Sequence, residues 1–250
     1  MDYEKRSYRE RFSTLERRSF VVSYKQTDLW IAVNKEAYSD YLRQEALRLV
    51  IELRDQMDNY ILNDPEYALS LIPYTPVNQA PEIMHLMASA SKLAEIGPMS
   101  AVAGAIAQYV GVALKEKFSV GEIIVENGGD IYAESISDLD VSVFAGSSPL
   151  SERVGLHIPA NTFPLGICTS SGTVGPSLSF GIADAVMIIC KDTMLADSYA
   201  TAMANLVKTG RDIPNVLDII REKKEILSAI IIVDDKMGIT GNFQLKLFKS

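Results

Sequence analysis

Three short stretches of this sequence combine residue types that could do chemistry together. The first is Glu126-Asn127-Gly128-Gly129-Asp130, set between two strand-like runs. A glycine pair there permits positive φ and lets a ligand approach the backbone, and Asn127 and Asp130 place polar groups beside the gap. The same residues also suit a plain hairpin turn. The second is Thr169-Ser170-Ser171-Gly172-Thr173, continuing through Gly175, Ser177 and Ser179. Hydroxyls on a flexible backbone form a natural nest for phosphate oxygens, although a polar surface loop has the same composition. The GK[ST] ending of a P-loop is absent, and so is a GxSxG nucleophile elbow. The third runs from Asp184 to Ala202. Within it Asp197 and Thr201 stand four apart and share one helix face, which Asn205 continues. A carboxylate and a hydroxyl one turn apart suit a hard cation such as Mg²⁺, with waters and phosphate oxygens completing its shell. An acidic residue favoured by the helix dipole is the plainer reading.

The other reactive side chains offer less. His85 falls in an apolar helix and His157 in a strand. Cys168 and Cys190 sit in apolar runs without a CxxC or Cys/His pattern, so they read as buried small hydrophobes. Cys168 borders the hydroxyl-rich loop, and a reactive thiol there is the minority reading.

The elements that must position these groups follow from periodicity. Residues 8–33 read as two strands around Lys25-Gln26-Thr27. Residues 35–62 read as an amphipathic helix, with Tyr41, Leu42, Ala46, Leu47, Val50, Ile51, Leu53 and Met57 at helical spacing. Helices are predicted over 82–95 and over 98–115, the latter so rich in Ala and Gly that close backbone approach and burial are expected. From Ser119 strands dominate, and residues 119–191 are expected to supply most of one antiparallel sheet with helix 98–115 packed on it. A helix beginning near Met194, a further helix over 213–222 and closing strands complete the order. Without regular βαβ alternation this is an α+β chain with largely antiparallel sheets. It reads as one domain over 1–250 or as two interleaved halves, 1–80 and 81–250.

Composition narrows the function classes. The 250 residues are 48% hydrophobic and 22% charged, enough for a sizeable core. A net charge of −8 disfavours wholesale binding of nucleic acid. Arg6, Arg9, Arg11, Arg17 and Arg18 crowd the N-terminus, where a solvated edge strand guarded by charge explains them better than an RNA-binding arm. No strongly apolar run reaches the roughly 18 residues of a membrane span, and the polar start does not resemble a signal peptide, so a cytoplasmic location without a membrane partner is expected.

In order and spacing the three stretches resemble the ApbE-like superfamily. ENGGDIY resembles its Asn-x-Gly-Gly-Asp segment, TSSGT its Thr-Ser-Gly segment, and LADSYATAM its Ala-Asp-x-x-x-Thr-Ala segment. GPMSAVAGA at 97–105 resembles the Gly-rich helix start that precedes them, so the match runs from Glu95 to Val207. The resemblance implies a T-fold-like α+β architecture of antiparallel sheets with packed helices. It also implies Mg²⁺ and FAD as cofactors and transfer of FMN to a threonine of an acceptor protein. Asp197 and Thr201 would be the metal ligands. Asn127, Gly128, Gly129 and Asp130 would line the flavin-nucleotide pocket, and Thr169, Ser170, Ser171 and Gly172 would meet the phosphates. Two family features are missing. The Lys of the Gly-rich helix start is replaced by Ala101, and no His-bearing hairpin follows the Thr-Ser-Gly segment. The chain is most similar to the shorter branch of archaea and anaerobic bacteria, linked to sulfur assimilation. The function expected is binding of a Mg²⁺-complexed flavin nucleotide or related diphosphate, with FMN transfer attached to it. Beside it stand a ligand-binding or accessory protein without catalysis, and a sulfur-assimilation factor using Cys168 as a sulfur carrier. Self-association is compatible with either.

Overall fold

A computed structural model of the chain describes residues 16–173 and 179–249. Eight strands form one antiparallel sheet in the order β1-β2-β3-β4-β7-β8-β9-β10, and β11, β6 and β5 form a second, smaller antiparallel sheet. The large sheet comprises β1 (Arg17–Tyr24), β2 (Thr27–Asn34), β3 (Ile123–Asn127), β4 (Asp130–Glu134), β7 (Leu165–Ser170), β8 (Ala185–Cys190), β9 (Ile226–Val233) and β10 (Lys236–Gly241). The small sheet comprises β5 (Leu139–Ser142), β6 (Val154–Ile158) and β11 (Gln244–Leu247). Because β2 pairs with β3, strands from 1–80 and from 81–250 share one sheet.

The large sheet is apolar on both faces, as the runs WIAV, IIV, AVMIIC and AIIIV dictate. Leu29, Ile31, Ile123, Val125, Val186, Ile188, Ala229 and Ile231 face a helical layer. Trp30, Ala32, Ile124, Ile131, Met187, Ile189, Ile230 and Ile232 face the small sheet. Residues 119–191 therefore do not supply most of one sheet. They give four of the eight strands of the large sheet and two of the three strands of the small one. The reason is that the second apolar face needs a cover. β5 and β6 alternate, with Leu139, Val141, Val154, Leu156 and Ile158 buried inward, whereas Asp140 and His157 pair on the outer side.

The helical layer contains α1 (Asp40–Asn63), α2 (Pro65–Leu69), α3 (Glu82–Leu93), α4 (Val102–Phe118), α5 (Thr193–Leu206) and α6 (Ile213–Glu222). Ser39 caps α1 by accepting from the Leu42 amide at 3.1 Å, and Asp64-Pro65 ends it. Its inward face uses Leu49 and Tyr60, while Tyr41 and Leu47 are exposed, a rotation of the expected face. The predicted helix over 98–115 begins as a 3₁₀ turn at Pro98–Ala101 before α4. α4 lies on β3 and β4, and a Cβ at Gly111 would fall 2.3 Å from the Tyr132 ring, which explains the small residues. α5 is the most enclosed helix, with ten of its fourteen residues buried against β7, β8 and the neighbouring helices.

Arg17 is not a solvated edge charge. Its guanidinium is nearly enclosed and pairs with Glu122 at 3.1 Å. Arg6, Arg9 and Arg11 lie outside the described residues. Among the described residues no single helix is long and apolar enough to cross a membrane; one bent pair, Glu82–Leu93 with Pro98–Phe118, passes by length and composition together.

Candidate functional site

Gly128 and Gly129 join β3 to β4 with φ of +69° and +108°, the sign a two-residue type I′ hairpin requires at both central positions. Asn127 and Asp130 are therefore direct cross-strand partners. Glu126, fully buried on the opposite face, accepts from the Gly129 amide at 2.7 Å and holds the turn from beneath.

On the helix-facing side the hairpin meets the start of α4. The Asn127 side chain donates to the Ala103 carbonyl at 3.1 Å. From α5, the Asp197 carboxylate accepts from the Gly104 amide at 2.8 Å and also from the Ala103 amide. The first turn of α4 is thus held between Asn127 and Asp197, where a carboxylate satisfies amides that the helix itself leaves unpaired. Gly104 is required by this contact, because a Cβ there would lie 2.5 Å from the Thr193 carbonyl oxygen and 3.0 Å from Asp197 Cβ. Gln108 completes the α4–α5 junction. It accepts from the Thr193 amide at 2.6 Å and donates to Asp192, which caps α5 through the Leu195 amide at 2.8 Å.

Asp130 sits under this junction beside Cys168. Burial pushes its carboxyl up to about 7; the Cys168 thiol and the Thr169 amide pull it down, and the Glu126 charge adds to the rise. Burial likewise pushes Asp197 well above the usual carboxylate range, helped by the charge of Asp130 and opposed by the Gly104 and Ala103 amides. Two carboxyl groups of raised proton affinity therefore share one enclosed volume, an arrangement that favours a proton or a cation between them. Cys168 Sγ lies 3.4 Å from the Thr193 carbonyl oxygen, and burial together with both aspartates holds the thiol protonated. A sulfur carrier needs an accessible thiolate. Cys168 and Cys190 are both fully buried, and burial raises both thiols, so the sulfur-carrier role has no support here.

The hydroxyl segment divides. Thr169 stays with the site, through its amide to Asp130 and its carbonyl oxygen 3.6 Å from where a Gly129 Cβ would be. Ser170 is the half-buried last residue of β7. Ser171 and Gly172 instead turn onto the returning strand of the loop, with the Gly172 amide donating to the Ala183 carbonyl at 2.8 Å. Thr201 is half-buried one turn beyond Asp197 on α5. Asn205, a turn further, accepts from the Phe180 amide at 2.8 Å. Gly175 and Ser177 lie outside the described residues. Among the described residues no cluster of three His, Cys, Asp or Glu side chains is arranged to hold a metal. A surface pocket lined by Lys25, Asp55, Asp58, Asn59, Ile61 and Leu62 lies elsewhere, between the β1–β2 turn and α1. Sequence reasoning did not single out Ala103, Gln108 or Thr193, whose backbone or amide groups carry no distinguishing residue pattern.

This architecture is that of the ApbE flavin transferases. The flavin transferase ApbE from Vibrio cholerae superposes with a TM-score of 0.58 at 14% identity, covering 90% of this chain and 96% of that one. The apo flavinyl transferase ApbE from Pseudomonas stutzeri gives 0.56 at 13% identity, covering 90% and 93%. The chain belongs to the family described as "AbpE bacteria", whose model matches residues 10–223. Among its relatives, a UPF0280 protein of Methanothrix thermoacetophila is 40% identical over 193 residues, 77% of this chain and 80% of that protein. A UPF0280 protein of Methanocaldococcus jannaschii is 38% identical over 223 residues, 87% and 88% of the two chains.

Proposed function

We propose that the protein binds a Mg²⁺-complexed flavin nucleotide or related diphosphate where the β3–β4 hairpin, the end of β7 and the face of α5 meet the start of α4. One observation carries this reading: Asn127, Asp130, Thr169 and Asp197, from four separate elements, converge on the first turn of α4. Dispersed segments bearing a permissive backbone, amide donors and carboxylates have little reason to converge unless a site forms there. The neighbours of matching fold are named flavin transferases, which supports the same ligand class.

The donor set suits a hard divalent cation, because Asp197 and Thr201 offer only oxygen. These two residues would hold Mg²⁺, which would neutralise charge on a bound pyrophosphate. Asn127, Gly128, Gly129 and Asp130 would line the nucleotide, and Thr169, Ser170, Ser171 and Gly172 would meet its phosphates through hydroxyls and amides. Transfer of FMN would form a bond from the acceptor threonine oxygen to the FMN phosphorus, break the phosphoanhydride and release AMP, with the hydroxyl proton passing to a base. Ala101 offers no cation where the family has Lys, and the His-bearing hairpin is missing. Loss of one preorganised charge-stabilising group costs about 10²–10³ in rate. Binding therefore outlasts catalysis.

Calorimetry of FAD with Mg²⁺ tests the reading. Affinity should fall at least about tenfold in Asp197→Asn, the loss expected of one charged ligand, and should fall also in Thr201→Val. Equal affinity in all three proteins removes the site. Mass spectrometry after incubation with FAD, Mg²⁺ and a peptide carrying the family's threonine motif should find little or no FMN addition; rapid complete addition would overturn the claim of weak transfer.

A further inference from the structure

The loop that returns from the hydroxyl segment to β8 is fastened to the C-terminal half of α5 with unusual economy. The Phe180 amide donates to Asn205 Oδ1 at 2.8 Å, and Ser179 Oγ reaches the same oxygen at 3.5 Å. The Ile182 amide donates to the Val207 carbonyl at 2.9 Å. Lys208 Nζ donates to the Phe180 carbonyl. Between them Gly181 presses so closely on the helix that a Cβ would lie 1.9 Å from the Ala204 carbonyl oxygen.

A loop held this tightly against a helix could bury its apolar side chains. It does the reverse. Phe180 is 54% exposed and Ile182 45%, beside Leu206 at 45%. An aromatic side chain is thus displayed on a backbone that its own hydrogen bonds keep still, with the ammonium of Lys208 fastened next to it. In a chain of net charge −8 that ammonium favours an anionic partner here.

The position along α5 identifies the occupant. Asp197, Thr201 and Asn205 follow one another at four-residue spacing on one face, and eight residues of helix span about 12 Å. A cation-bound diphosphate at Asp197 and Thr201 would carry its attached groups along that face toward Phe180. Of the two rings in FAD, the isoalloxazine, borne on an open ribityl chain, reaches farther from the diphosphate than an adenine on a closed ribose. We infer that Phe180 is the stacking platform for the isoalloxazine ring of the bound flavin nucleotide, with Asn205 and Lys208 holding the platform in place. The inference rests on the binding function proposed above and adds to it the residue that selects a flavin over other diphosphates.

The test measures Mg²⁺-dependent binding of FAD, ADP and inorganic pyrophosphate to the wild type, Phe180→Ala and Phe180→Tyr. Removing one ring–ring stack costs about 1–3 kcal/mol, so Phe180→Ala should bind FAD about 5- to 100-fold more weakly. Phe180→Tyr should keep wild-type affinity. Pyrophosphate and ADP should bind all three proteins equally, and quenching of flavin emission on binding should diminish in Phe180→Ala alone. Unchanged FAD affinity in Phe180→Ala overturns the platform. Equal weakening for pyrophosphate overturns it too, since the substitution would then have disturbed the loop. Weakening for ADP with flavin quenching intact would overturn the isoalloxazine assignment. A wild type that binds none of the three probes overturns the parent function itself.

Discussion

At the scale of single residues the site is governed by enclosure. Asp130 would titrate near 3.9 in an unfolded chain, and burial lifts it to about 7 in the fold. A carboxyl with a raised folded-state value binds its proton more tightly when folded. Its contribution is therefore fully present below about pH 4 and is lost as pH rises from about 4 to 7. Asp130→Asn removes that titration while keeping the shape. The melting temperature of the variant relative to wild type should rise across that window and level off above pH 7; a difference independent of pH would mean that Asp130 does not titrate there. Sequence alone made Asn127, Gly128, Gly129, Asp130 and Asp197 visible, because their residue types are costly anywhere without a purpose. It left out the Ala103 and Gly104 amides. An amide is common to every residue but proline, so only folding reveals which ones are aimed at a carboxylate.

At the scale of elements the site depends on how closely α5 sits on the sheet and on α4. Gly166 in β7 faces the start of α5, and a Cβ there would lie 2.3 Å from Thr193 Cα. Backbone cannot yield as a side-chain tip can, so Gly166→Ala should lower unfolding free energy by about 1–3 kcal/mol in urea titrations. A neutral result would show that α5 can shift without cost. The helices of this layer were legible from spacing and from small-residue content. What was not legible was the fate of β5 and β6, because Leu139 and Val141 alternate with polar residues as well in a second sheet as in the first. Periodicity gives a strand its two faces but not its neighbours. The rotation of α1 has a similar origin: Tyr41 packs edge-on with Phe118 at the rim and so satisfies a helical pattern without entering the core.

At the scale of the whole molecule one sheet separates two cores, and the N-terminal hairpin is tied into it by charge as well as by strand pairing. Burial pulls the Glu122 carboxyl up, but Arg17 and the Ser135 and Ser137 hydroxyls outweigh it and hold it below its ordinary range. Arg17→Met would leave that carboxylate enclosed with hydroxyl partners only, and breaking a buried pair from one side costs about 3–5 kcal/mol. Urea unfolding at pH 7 should detect a loss of that order. A change below about 0.5 kcal/mol, the range of an ordinary surface substitution, would mean that water replaces the guanidinium. The arginine cluster in sequence suggested a charged edge; the partner, more than a hundred residues away at Glu122, belongs to tertiary structure and has no local signature.

The glycine pair at the β3–β4 turn has a meaning for anyone comparing sequences of this kind. Both faces of β3 and β4 are buried, so slipping their pairing by one residue would exchange the contents of the two cores. Gly128 and Gly129 fix that pairing by being the residues that turn the chain in two steps. A descendant that had given up the chemistry would still need them in order to fold, whereas it could part with the Thr201 hydroxyl freely. The most conspicuous part of the signature is thus a record of ancestry in the scaffold, and the quieter positions, Thr201 and Phe180 among them, are where a change of livelihood would first be written.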